Sequence, residues 1–157
     1  MQAASETPTI HASAVLVGAK AVLIRGPSGS GKSRLAWDLL QAAAQGALPF
    51  ALLVADDRAQ VEAYVDAHAG RLLVRPAPAL AGMIEIHGLG IRRLAFEPVA
   101  AVALVVDLCA EDAVRLPGLN AGNTTINGVI LPRLGVAAGM QALPLVLAAL
   151  RTIPAGD

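Results

Sequence analysis

Cysteine is almost absent from this chain of 157 residues. The single residue, Cys109, excludes a disulfide framework and points to a reducing compartment. Aromatic side chains amount to 3%, so bulky rings do not anchor the core. Neither sign of charge is in excess: 12 Lys+Arg face 12 Asp+Glu, for a formal net charge of zero. Without a basic surplus to neutralise phosphates, a general nucleic-acid binder is disfavoured. A membrane span needs roughly 18 or more apolar residues. The longest uncharged stretches, 39–55 and 134–150, fall short and are interrupted by Gln, Gly and Pro. No Lys or Arg precedes Lys20, so a secretory leader lacks its charged start. Together these absences predict a cytoplasmic domain with no nucleic-acid or membrane partner.

What is present is apolar but small. Hydrophobic residues make up 55% and charged ones 15%, and 33 residues are alanine. Disordered chains are apolar-poor and charge-rich, so disorder is excluded, and Val, Leu and Ile are left to build the core. The length suits one domain, 1–157, with a loose polar terminus over 1–9.

Apolar runs at 14–17 and 21–25, joined by Gly18-Ala19-Lys20, predict a hairpin. Leu35, Leu39 and Leu40 share one face of a helix expected from Gly31–Lys32 to about Ala44, with Gly46 as its stop. Strands are expected at 51–55, 83–86, 100–108 and 128–132, with a second hairpin from 60–65 and 71–75. The Asn/Gly/Thr-rich stretch 118–128 is expected as a loop. A final helix over 141–151 accepts Pro144 only in its first turn. Trp37, Phe50 and Cys109 are expected in the core. The pattern is α/β with a mixed sheet and more strand than helix.

Gly26-Pro27-Ser28-Gly29-Ser30-Gly31-Lys32-Ser33 matches G-x-x-x-x-G-K-[ST] without deviation. Glycines let successive backbone N–H groups turn around phosphate oxygens, and the helix opening at Lys32 adds its positive end. Lys32 supplies a charge for the outer phosphates and Ser33 a hydroxyl for Mg²⁺. At ordinary glycine frequencies the pattern arises by chance in very roughly one such chain in two hundred. Here an apolar strand precedes it and a helical pattern follows. Lys32 is also one of only two lysines in the chain.

Binding phosphate is not yet a reaction. Phosphoryl transfer also needs an acidic group near the phosphates, and Asp56-Asp57 at the end of an apolar strand supplies two. Adjacent strand residues point to opposite sides, so one can serve a metal while the other takes a proton. Asp is also common in strand-ending turns, and the pair alone leaves both readings open. Glu85 stands out in an apolar strand, although an outward-facing position explains it equally simply. His11 and Arg115 carry no such signal by themselves.

Several pieces together resemble the HPr kinase/phosphorylase family, in a short form holding only the catalytic domain. They are His11 with Ala14–Val17, the loop Gly26–Ser33, Val54-Ala55-Asp56-Asp57-Arg58, Ile84-Glu85-Ile86-His87-Gly88-Leu89-Gly90-Ile91, Arg115-Leu116-Pro117, and Leu131-Pro132-Arg133-Leu134. The resemblance spans roughly residues 10–150. It implies a P-loop kinase domain related to phosphoenolpyruvate carboxykinases, with a mixed sheet flanked by helices. It implies an ATP- and Mg²⁺-dependent protein serine kinase acting on an HPr-type phosphocarrier of the phosphotransferase system, with a reverse phosphorylase reaction and hexameric assembly. Gly26–Ser33 would bind the nucleotide, with Lys32 as the loop lysine. Ser33 and Glu85 would serve the metal. One of Asp56 and Asp57, Asp57 by preference, would be the proton acceptor beside His11 and the other would belong to the metal network, with Arg115 an active-site cation. Leu131–Gly135 falls where the family keeps a loop tied to dephosphorylation. His87 stands where the family usually has arginine, and 42–50 is longer than usual. The basic residue expected after Gly135 is missing, which weakens the phosphorylase expectation. A small-molecule kinase or NTPase, and a non-catalytic nucleotide sensor, are the competing readings.

Overall fold

A computed structural model describes residues 8–65, 70–113 and 122–155. The elements in chain order are β1 (Thr9–Val17), β2 (Lys20–Arg25), α1 (Lys32–Ala44), β3 (Ala51–Ala55), β4 (Arg58–Val65), β5 (Gly70–Pro76), β6 (Met83–Ile86), β7 (Gly90–Arg93), β8 (Ala100–Leu108), β9 (Asn123–Ile126), β10 (Val129–Val136) and α2 (Ala142–Arg151). No helix among the described residues is long and apolar enough to cross a membrane.

The main sheet has eight strands in the order β2-β1-β4-β5-β8-β10-β9, with β3 also paired to β1. Because β2 pairs with β8 as well as β1, the strands β1, β4, β5, β8 and β2 close into a ring. A closed sheet has no free edge, but a five-stranded ring encloses little volume. Its inward positions are accordingly small: Ala12, Ala14, Ala21, Ala59 and Ala100 are all buried there, interleaved with Leu23, Leu72, Val74 and Val105. This explains much of the alanine excess.

Opposite faces of the same strands build a second core. Val15, Val22, Ile24, Leu53 and Val106 pack against Leu35, Ala36 and Leu39 of α1 and Val146 of α2. The alternation along β1 and β2 is the two-residue period of a strand buried on both sides. Pro144 sits in the first turn of α2, where its missing N–H breaks no helical bond.

β2, β8 and β10 are mutually parallel. β3 runs the same way, since β2 and β3 are both antiparallel to β1. Their C-terminal ends therefore lie along one edge, which is where open parallel sheets place their ligands.

Several expectations are corrected. Trp37 is 37% exposed on α1 and Phe50 is 46% exposed, so neither anchors the core. Cys109 is exposed at the end of β8, with φ +55°. Part of the stretch expected as a loop forms β9, hairpinned to β10 through Asn127-Gly128, both with positive φ. Leu131–Gly135 belongs to strand β10 and is not a loop. β7, a four-residue strand pairing β6, carries no sequence alternation and was not expected.

Candidate active site

The loop between β2 and α1 has the backbone features that an anion site requires. Gly31 occupies the N-cap of α1 at φ +98°, a conformation that favours glycine, and no side chain caps the helix. The first-turn N–H groups are thus left for a ligand, at the positive end of the helix. Gly26 admits no side chain at all: a Cβ there would sit 2.5 Å from Ser30 Oγ and 3.1 Å from Leu108 Cβ. Lys32 is buried and donates to the carbonyls of Gly26 (2.8 Å) and Pro27 (3.2 Å), which hold its ammonium inside the loop. Ser30 Oγ is buried with no hydrogen-bond partner among the described residues.

Beside this loop stands the acidic pair. β3 and β4 both pair with β1; the β3 register shifts by one residue beyond Ala14, while His11 lies opposite Arg58 and Ala14 opposite Ala55. Carrying that offset through the gap sets Ser13 opposite Asp56 and Ala12 opposite Asp57. The Ala12 N–H still donates to the Asp57 carbonyl at 3.2 Å, but the regular strand is broken at the two acids. Asp57 takes φ +69°, a strained backbone for a residue other than glycine. The break sends the two carboxylates into different surroundings.

Asp56 is 4% exposed and receives three donors. Ser33 Oγ lies 2.7 and 2.9 Å from its two oxygens, Ser13 Oγ donates to Oδ1 at 2.7 Å, and the Glu85 N–H donates to Oδ2 at 3.1 Å. A buried carboxylate needs such compensation. Asp57 is half exposed, and its Oδ1 lies 3.6 Å from His11 Nε2. One acid is thereby tied to the phosphate loop, and the other faces solvent next to a histidine.

Glu85 reaches this centre through its backbone; its side chain is exposed on β6. Among the described residues no group of three His, Cys, Asp or Glu is placed to hold a metal. The oxygens of Ser33 and Asp56 nevertheless fit Mg²⁺, which binds hard oxygen ligands and takes one or two protein groups beside phosphates and water. Arg115 lies outside the described residues.

Two features of this edge were not singled out in the sequence. Ser13 is fully buried between the acids, and its signal was the alternation His11-Ala12-Ser13, two polar groups on one face of an apolar strand. The second is an ion-pair cluster under the loop. Asp107, at the end of β8, accepts from Arg25 (2.7 and 2.9 Å) and from Arg133, which also binds Asp112 in a fork at 2.9 Å. Burial would raise the Asp107 pKa. The hydrogen bonds and charges of Arg25 and Arg133 outweigh it and hold the carboxyl below its ordinary value. Arg25 directly precedes Gly26, so the cluster braces the root of the loop. On the β8–β10 side a cavity of about 510 Å³ adjoins Ser30 and Gly31, with Arg34, Asp38, Leu108 and Met140 among its lining.

No protein-family model matches the chain, and neither does any curated protein. Among solved structures it is similar to the Hpr(Ser) kinase/phosphatase from Coxiella burnetii, with a TM-score of 0.67 and 25% identity. The match covers 92% of this chain and 94% of that one. The fold is that of an Hpr(Ser) kinase/phosphatase. The likeness extends over the whole domain, well beyond the loop and the acidic pair, and it supports an enzyme of kinase type.

Proposed function

We propose that this chain is an ATP- and Mg²⁺-dependent protein serine kinase of the P-loop class, acting on an HPr-type phosphocarrier in the cytoplasm. The observation that carries the reading is the direct link from the phosphate loop to the acidic pair. Ser33 at the loop is bonded to buried Asp56, and Asp57 next to it stands exposed beside His11. A nucleotide sensor needs the first half of this arrangement; the second, an exposed base beside the phosphates, is what an enzyme that activates an attacking oxygen needs.

Bound Mg²⁺·ATP supplies a γ-phosphoryl group whose charge is already partly shielded. Gly26–Ser33 holds the phosphates through backbone N–H groups, and Lys32 exchanges its loop carbonyls for phosphate oxygens. Ser33 and Asp56 would hold the metal; Glu85 meets Asp56 through its N–H, and its exposed carboxylate would have to turn inward to join them. The cavity beside Ser30 and Gly31 accommodates the nucleoside end. The substrate serine approaches from the opposite, solvent-facing side, where Asp57 takes its proton as its oxygen attacks phosphorus, and His11 orients that carboxylate. Arg115 adds positive charge at the transferring group. In the phosphorylase reaction, inorganic phosphate attacks the phosphoserine phosphorus to form pyrophosphate, the P–O bond to serine breaks, and Asp57 gives the proton to the leaving serine oxygen. Catalysis on this scheme is positioning and electrostatics. The exposed apolar side chains Tyr64, Val65, Ile130 and Met140 suit a homo-oligomer, a hexamer by resemblance.

The test is incubation with ATP, Mg²⁺ and a purified HPr-type protein, followed by mass spectrometry. A single phosphoserine on the carrier is expected. ATP hydrolysis without transfer would replace the protein kinase by an NTPase, and binding without turnover would replace it by a sensor. Inorganic phosphate added to the phosphorylated carrier checks the reverse reaction.

A further inference from the structure

Ser13 is the only polar residue other than Lys32 and Asp56 that is buried among the described residues, and the scheme above gives it no task. Its surroundings do. Its hydroxyl donates to Asp56 Oδ1 at 2.7 Å and faces the Asp57 N–H at 3.4 Å. Through one oxygen atom it is therefore connected to the carboxylate of one acid and the backbone of the other. Continued inward from Ala14–Ala55 and His11–Arg58, the β1 pairing sets it across from Asp56, two residues from His11 on the same face of the strand. Its neighbours on β1, Ala12 and Ala14, point into the opposite core.

We infer that Ser13 is a positioning residue that sets the geometry of the acidic pair. The inference rests on the nucleotide reading above and assigns a device within that site. Asp56 has three donors from three elements: Ser33 from α1, the Glu85 N–H from β6, and Ser13 from β1. Ser33 is the donor that must turn to a metal when one binds. Once it does, Ser13 and the Glu85 N–H are what keep the carboxylate aimed at the loop. At Asp57 the same hydroxyl accepts from the backbone N–H, which favours the left-handed conformation that presents this side chain to His11. A hydroxyl is the smallest side-chain group that both donates and accepts, which is what a buried position bonded to both acids requires.

The experiment measures ATP binding by calorimetry with and without Mg²⁺, in the unaltered chain, Ser13→Ala and Ser13→Thr, with melting temperatures alongside. In Ser13→Ala, Mg²⁺-free ATP affinity stays within about two-fold, and the gain in affinity from Mg²⁺ falls by about ten-fold, the worth of one hydrogen bond to a charged group. Ser13→Thr, which keeps the hydroxyl, retains most of that gain even where its extra methyl lowers the melting temperature. A Mg²⁺ dependence in Ser13→Ala equal to that of the unaltered chain overturns the inference. So does an equal loss in the two variants, which would mark a packing effect. Absence of ATP binding in the unaltered chain removes the nucleotide reading itself, and the inference with it.

Discussion

Asp57 combines two properties that sequence alone does not reveal: a left-handed backbone and an exposed carboxylate beside a histidine. Left-handed conformations cost a residue with a Cβ about 1–2 kcal/mol, and Asp and Asn bear that cost better than others. Asp57→Asn should therefore leave stability nearly unchanged, whereas Asp57→Ala should lose about 1 kcal/mol more, measured by urea denaturation. Both variants should bind ATP normally and lose phosphoryl transfer by roughly 10²-fold or more. An Asp57→Asn variant with full transfer activity would remove this group from the proton-accepting role. The loop 26–33 and the acidic pair were legible as candidates because each is contiguous in sequence. The division of labour between Asp56 and Asp57 was legible only as an order of preference, since burial depends on Ser13, Ser33 and Glu85, which arrive from three other elements. The predicted core positions of Trp37 and Phe50 failed for a related reason. Size and hydrophobicity do not say which side of a helix or turn faces the sheet.

At the scale of elements, strands buried on both faces were read best. Runs such as Ala51–Ala55 and Ala100–Leu108 are continuous and apolar, and the structure keeps those boundaries. β9 escaped because Asn123, Thr124 and Thr125 suggest a loop by composition, although Asn127-Gly128 between Ile126 and Val129 is a strong two-residue hairpin signal. β7 is exposed along its whole length and exists through its pairing with β6, which no local pattern announces. β2, β8 and β10 are joined by Asp107 near the end of β8, with Arg25 at the end of β2 and Arg133 in the middle of β10 on either side. Asp107 titrates below its ordinary value when folded, so its contribution is complete above the unfolded carboxyl pKa of about 3.9 and is lost as pH falls through the folded value. Stability of the unaltered chain should drop as pH falls below about 4, and Asp107→Asn should flatten that drop. At neutral pH the same variant leaves two partly buried guanidinium groups without their shared partner. It should cost about 2 kcal/mol by denaturant titration, reduced from fully buried cases because Arg25 is 30% exposed. Unchanged acid sensitivity in Asp107→Asn would place the effect elsewhere.

At the scale of the whole molecule, composition and topology explain each other. A chain with few rings and many alanines looks underfilled, yet the narrow ring of β1, β4, β5, β8 and β2 has an interior filled by alanines interleaved with a few larger aliphatics such as Leu23 and Leu72. Other larger aliphatics go to the second core, where two helices stand off the sheet and leave room for Leu35, Leu39 and Leu53. This division also serves the site. A tightly closed ring fixes the ends of its parallel strands relative to one another, and the loop, the acidic pair and the Asp107 cluster all stand on those ends. Filling the ring with more volume should therefore be as harmful as removing volume from an ordinary core. Ala21 is fully buried within it, on β2 and at the end far from the phosphate loop. Ala21→Leu should destabilise the fold by about 2 kcal/mol, typical of overpacking, and lower the melting temperature by roughly 4–8 °C. Ala63→Leu, the same change at an exposed position on β4, should stay within about 0.5 kcal/mol of the unaltered chain. Equal stability of the two variants, by calorimetry, would mean that the ring has space to spare. The alanine content would then need an explanation other than the closure of the sheet.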